Sequence, residues 1–87
     1  MADEVSYADL FAFLQRIGFV DSSRSDFERI FEYPKSGIVL AFAMVADSSM
    51  ARPVRSADLV SAEFRLQQHG LLDGKIVNAI QQVRANG

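Results

Sequence analysis

The chain lacks cysteine altogether, has only two prolines in 87 residues, and contains no long apolar run. Without cysteine there is no disulfide framework, thiolate zinc site, iron–sulfur cluster or thiol nucleophile, so packing alone must hold the fold, and a cytoplasmic location is expected. The longest apolar run, residues 38–46, is less than half as long as a membrane-spanning helix. Residues 1–4 are acidic where a secretory signal is basic. We therefore expect neither a membrane span nor an export signal.

Charge of one sign is also lacking, because nine basic and eleven acidic residues leave a formal charge of −2 and a pI of about 5.2. Proteins that bind nucleic acid usually present a positive field, so this balance disfavours nucleic acid without excluding it. The remaining composition, 49% hydrophobic and 23% charged, is ordinary for a packed globule. The sequence predicts one domain, residues 1–87, and nothing in it indicates a metal or another cofactor.

The first predicted element is a helix over residues 7–17. Ser6 and Asp9 have the spacing of a capping box, and apolar residues follow at helical intervals. Gly18 is a natural left-handed stop, and Phe19 behind it can fold back onto the helix.

Two β-strands are predicted next, joined by a turn. Residues 27–33 alternate in polarity as a half-buried strand does, and residues 34–37 form a turn sequence. Residues 38–45 are apolar on both faces, which indicates the centre of the sheet. A short third strand over residues 51–54 is confined to an edge, because Pro53 cannot donate to a ladder.

Two further helices close the predicted fold. Ser56 is a suitable N-cap for a helix to about Gln68, which Gly70 ends. Asp73 then caps a last helix within residues 73–87. The order αβββαα predicts an α+β fold with one three-stranded antiparallel sheet.

Five segments carry a resemblance to a known family, and they are Ile17-Gly18-Phe19-Val20, Glu28-Arg29-Ile30-Phe31-Glu32-Tyr33-Pro34, Gly37-Ile38-Val39-Leu40, Arg52-Pro53-Val54-Arg55 and Gly70-Leu71. Through them the chain resembles the HicA (YcfA-type) toxin family over residues 8–72. The resemblance implies a double-stranded-RNA-binding-like αβββα fold, to which residues 73–87 would add an extra helix and residues 1–5 a flexible start. It also implies a metal-independent ribonuclease that acts on messenger RNA and is silenced by a HicB antitoxin.

One departure from the family motif bears on catalysis. Where the motif has a glycine, a small residue and a catalytic histidine, this chain has Asp26, Phe27 and Glu28. Cleavage of this kind needs a group that moves protons near neutral pH, as histidine does. Glu28 is the one candidate for a replacement general base, but it stands at an exposed strand start. The single histidine, His69, lies in the last turn of its helix, where it interacts favourably with the helix dipole.

The basic side chains near the hairpin are candidates for RNA binding. Positive and negative charges alternate there, which favours a solvated surface over a focused patch. RNA binding would require Arg52 and Arg55 to share a face with Arg24 or Lys35. The candidate residues are Arg24, Lys35, Arg52 and Arg55.

An uncovered apolar sheet face is the last candidate site. The odd-numbered side chains of the strand at 38–45 are small and apolar, and helices packed on the other side would leave them exposed. Either the C-terminal helix or a second chain must cover them, and we favour the C-terminal helix because it supplies a matching stripe. The predicted interaction face is Val39, Ala41, Ala43, Val45, Ile76, Ile80 and Val83.

The resulting functional hypothesis is a non-catalytic, HicA-like module that binds an antitoxin-like protein or a second copy of itself. The enzyme alternative is an mRNA interferase that uses Glu28. The third alternative is RNA binding without cleavage.

Overall fold

A computed structural model describes residues 5–44 and 52–86. Its three antiparallel strands form one sheet, which three helices accompany, so the predicted α+β fold is confirmed. None of the described helices is long and apolar enough to span a bilayer. The elements in chain order are α1 (Tyr7–Arg16), β1 (Val20–Asp21), β2 (Glu28–Tyr33), β3 (Ile38–Ala43), α2 (Ser56–Gln68) and α3 (Ile76–Asn86).

Helix α1 begins and ends as its sequence predicts. The Ser6 hydroxyl accepts from the Asp9 backbone N–H at 3.1 Å, and the Asp9 carboxylate accepts from the Ser6 N–H at 3.2 Å. The helix ends before Gly18, which has a φ of +116°. Residues that carry a side chain rarely adopt this backbone angle. The Phe19 N–H then donates to the Leu14 carbonyl, and Phe19 is buried. Local hydrogen bonds therefore fix both ends of α1.

The sheet has the strand order β1-β2-β3, so β2 is central and β3 is an edge. The prediction that the strand at 38–45 is the sheet centre is therefore wrong. Its apolar character on both faces reflects burial on one face and an open apolar surface on the other.

The third strand is β1, a two-residue segment that pairs with β2. It is not the predicted strand at 51–54. Pro53 instead forms an isolated bridge with Ser6, and the Val54 N–H donates to the carbonyl of Val5 at 2.8 Å. Val5, predicted as the end of a flexible start, is buried by this contact. Residues 1–4 and 51 lie outside the described part of the chain.

The two C-terminal helices start differently from the prediction. The N-cap of α2 is Arg55, not Ser56, and its side chain makes no cap hydrogen bond. At the start of α3, the Ile76 N–H donates to the Glu63 carboxylate of α2 at 2.9 Å, a role expected of Asp73. Helix α3 packs against α1 and α2.

One hydrophobic core lies between the helices and one face of the sheet. The Phe11 ring of α1 packs on Phe31 and Phe42, with centroids 4.9 and 5.5 Å apart. Because Ile38, Leu40 and Phe42 are buried on this side, the residues between them in β3 must point away from the core. The largest fully buried side chains among the described residues are Phe31, Leu10, Leu14, Leu66, Ile76 and Ile80.

The C-terminal helix does not cover the other face of the sheet. Ile76 and Ile80 are each 1% exposed and belong to the core, and Val83 packs against it. The prediction that they cover the odd-numbered residues of β3 is therefore wrong, because the core between α1 and α2 takes up their apolar stripe. The strand face outside the core stays open to solvent within the described part of the chain.

Candidate functional site

The side of the sheet that faces away from the helices is hereafter the open face. Strand register aligns its residues in rows, since Glu32 of β2 pairs with Val20 of β1 and with Val39 of β3. The next rows pair Ile30 with Ala41, and Glu28 with Ala43. The open face consists of Val20, Glu28, Ile30, Glu32, Val39, Ala41 and Ala43.

The open face combines exposed apolar side chains with negative charge. Val20 is 54% exposed and Val39 42% exposed, and Glu32 lies between them in the same row. Ile30 is half-buried in the next row of β2, between Glu28 and Glu32, which are exposed and are the only charged members of the open face. A mixture of exposed apolar side chains and a few charges is common in protein-binding surfaces.

Helix α2 runs beside the outer edge of β3. Arg55 Nη2 donates to the Ala43 carbonyl, and Arg65 Nη2 donates to the Val39 carbonyl at 3.4 Å. The two arginines lie about 15 Å apart along the helix. The two carbonyls lie about 14 Å apart along the strand. Because these lengths match and the order is reversed, α2 is antiparallel to β3 and flanks its whole length.

The Arg55 end of this contact is tied into a polar network. The Tyr7 hydroxyl of α1 donates to Asp58 at 2.6 Å and accepts from Arg55 Nε at 3.0 Å. Arg55 Nη2 lies 3.1 Å from the same carboxylate. Hydrogen bonds to Asp58 and then to Tyr7 raise the pKa of Arg55 above its ordinary value. The network joins α1, α2 and β3 and fixes α2 against the sheet edge.

No family model, curated protein or solved structure matches the chain. The resemblance to HicA toxins and the activity that it implies therefore stay predictions.

Glu28, the one candidate for a general base, lies far from the single histidine. Glu28 pairs with Ala43, beside the N-terminal end of α2, whereas His69 is the C-cap of that helix. Since the 13 residues of α2 span about 20 Å, His69 cannot act on a group bound at Glu28. Within residues 5–44 and 52–86, no three acidic or histidine side chains are grouped so as to hold a metal ion.

Lys35 does not lie with the other three RNA-binding candidates. Lys35 is in the turn at the opposite end of the hairpin from Ala43, the residue that Arg55 contacts. Arg55 is also paired with Asp58, which cancels its charge locally. Arg24 lies in the loop between β1 and β2, and Arg52 precedes α2.

The predicted interaction face is divided by the fold. Val39, Ala41 and Ala43 belong to the open face, whereas Ile76, Ile80 and Val83 belong to the core side. Val45 lies outside the described residues. Sequence reasoning missed Val20 as a strand residue, because β1 has only two residues and gives no periodic signal. It also missed Arg65, for which the sequence offers no signal.

Proposed function

We propose that this domain is a protein-binding module whose open face recognises a partner that presents apolar and basic side chains. The observation that carries the proposal is an exposed sheet face on which Val20, Ile30 and Val39 surround Glu32, with Glu28 on the other side of Ile30. Apolar burial would supply affinity, and the carboxylates would select for cations and speed the encounter.

The charge of the open face argues against self-association through it. If two copies met face to face, Glu28 and Glu32 of one copy would approach the same carboxylates of the other. Like charges in such contact cost several kcal/mol. We therefore propose a different protein as the partner, which under the HicA resemblance would be antitoxin-like, and a monomer when the domain is alone. Its cysteine-free sequence favours a cytoplasmic setting.

The two RNA alternatives have less support from the same surfaces. The carboxylates of the open face repel a phosphate backbone, and Arg55, which contacts the edge of β3 at Ala43, is already paired with Asp58. Glu28 has no hydrogen-bonded partner acid or base among the described residues that would complete a nuclease site.

The experiment is affinity capture from cell extract with matched variants. Val20→Lys places a charge in the open face, whereas Val60→Lys makes the same change at a valine of α2 that is 66% exposed and lies outside it. We expect wild type and Val60→Lys to capture the same amount of the same partner. Val20→Lys should capture at least tenfold less of it, and Glu32→Lys should also capture less.

Two results would contradict the proposal. One is equal capture of that partner by the two valine variants, which would remove the open face from the interaction. The other is degradation of total RNA by the purified wild-type domain that Glu28→Gln abolishes, which would establish the nuclease alternative instead.

A further inference from the structure

The outer edge of β3 presents main-chain groups that are not paired with another described strand. The Met44 N–H donates to the Phe27 carbonyl of the neighbouring chain segment, so even-numbered residues of β3 face β2. The N–H and C=O groups of Val39, Ala41 and Ala43 therefore point outward, as the contacts of Arg55 and Arg65 with two of these carbonyls also indicate. An edge of this kind is a template for another strand.

This edge forms one wall of a groove whose other wall is α2. The floor is the core, with Leu40, Phe42 and Ala62, and the helix contributes Asp58, Ser61 and Arg65. The groove encloses about 250 Å³, below the roughly 300–1,000 Å³ typical of small-molecule sites. An open groove between a strand edge and a helix suits an extended backbone better than a compact ligand.

The two arginines that border the groove are not equivalent. Arg55 is held by Tyr7 and Asp58 as well as by the strand. Arg65 has a single contact, the 3.4 Å hydrogen bond to Val39, and no ion pair with a described carboxylate. Its guanidinium therefore keeps donors for a carboxylate that arrives at this end of the groove.

We propose that an extended segment of a partner protein adds to β3 as a fourth strand in this groove, with a carboxylate of the segment bound by Arg65. Main-chain pairing would involve the Val39 N–H and both main-chain groups of Ala41, because Arg65 binds the Val39 carbonyl and anchored Arg55 occupies the edge at Ala43. Strand addition of this kind gives affinity through main-chain hydrogen bonds and specificity through alternate side chains. The inference goes beyond the proposed function, since it uses the strand edge and a positive charge rather than the acidic open face.

A random seven-residue peptide library with free carboxyl ends tests the inference. We expect the domain to enrich peptides that carry an acidic group and strand-forming residues. On binding the enriched peptide, the amides of Val39 and Ala41 should shift in NMR spectra and exchange with solvent at least tenfold more slowly. The amides of Leu40 and Phe42 already bond to β2 and should change little.

Three variants check the contacts. Ala41→Pro removes an outward N–H without removing a bond to β2, and Arg65→Glu reverses the charge at the groove. We expect each substitution to lower the affinity for the enriched peptide at least tenfold. The amide spectrum of each variant shows whether it is folded. Arg16→Glu is the control, because it makes the same reversal at an exposed arginine of α1 outside the groove.

Three results would overturn the inference. The first is a peptide that shifts the NMR signals of Val20 and Ile30 but not those of the Val39 and Ala41 amides. That outcome is compatible with the proposed function. The second is equal weakening by Arg65→Glu and Arg16→Glu. The third is the absence of any enriched peptide together with self-association of Arg65→Glu, which would mean that Arg65 protects the edge from pairing.

Discussion

Replacement of Tyr7 by phenylalanine tests the polar network that holds α2 against β3. The change keeps the buried ring and removes only the hydroxyl, which donates to Asp58 at 2.6 Å and accepts from Arg55 Nε at 3.0 Å. The stability lost in Tyr7→Phe therefore measures the contribution of the network and not that of aromatic packing in the core.

The magnitude follows from the exposure of the partners. A hydrogen bond to a charged group contributes about 1.5–3 kcal/mol to stability. The Asp58 side chain is 22% exposed, so water can replace part of the lost bond. We expect Tyr7→Phe to lower the free energy of unfolding by about 1 kcal/mol, or the melting temperature by roughly 4–8 °C in a domain of this size.

The assay is urea and thermal unfolding followed by circular dichroism. Tyr33→Phe is the matched control, since the hydroxyl of Tyr33 makes no hydrogen bond to any described residue. In a double-mutant cycle, Tyr7→Phe should lose most of its effect in an Asp58→Ala background, which removes the acceptor of the Tyr7 hydroxyl. If the two tyrosine variants unfold alike, the network does not stabilise the fold and the reasoning is refuted.

Two further predictions concern the ends of α1 and β1. Gly18→Ala should destabilise the domain by about 1 kcal/mol more than Gly70→Ala, because a Cβ at Gly18 would lie 2.9 Å from the Tyr33 ring, whereas Gly70 has open space at its similarly positive φ. If urea unfolding shows that Gly18→Ala and Gly70→Ala lose similar amounts of stability, the contact with Tyr33 does not contribute. Hydrogen bonds from Ser23, aided by the charge of Arg29, lower the pKa of Asp21 below its ordinary 3.8. Asp21→Asn should therefore reduce stability slightly at pH 7 and cease to do so as the pH falls through the folded-state pKa, and a difference that grows on acidification would contradict this sign.

Local rules predicted both ends of α1 and the hairpin, but not the starts of α2 and α3. The capping box of Ser6 and Asp9 and the stop at Gly18 depend on residues within one turn of each other, so sequence spacing is enough to identify them. The alternation along β2 likewise follows from period two in the sequence.

The position of β3 in the sheet was beyond such rules. A strand that is apolar on both faces has the same sequence pattern whether both faces are buried or one is open. Its position in the sheet depends on which strands pair with it. Strand β1 consists of two residues, Val20 and Asp21, too few for a periodic signal. The destination of α3 was ambiguous for a related reason, since its stripe at Ile76 and Ile80 fits either side of the sheet.

The candidate site was predicted in part. Sequence alternation placed Val39, Ala41 and Ala43 on one face, but their neighbours Val20 and Ile30 join them only through the strand register. The contacts of Arg55 and Arg65 with β3 connect residues that are 12 and 26 positions apart, and no local pattern encodes them.

Methyl NMR of the complex tests the central claim, binding through the open face, most directly. With the partner recovered by affinity capture, the account predicts shifted or broadened methyl signals for Val20, Ile30 and Val39, and unchanged signals for Val60 on the solvent-facing side of α2. Perturbation of Val60 with unchanged signals on the open face would contradict it.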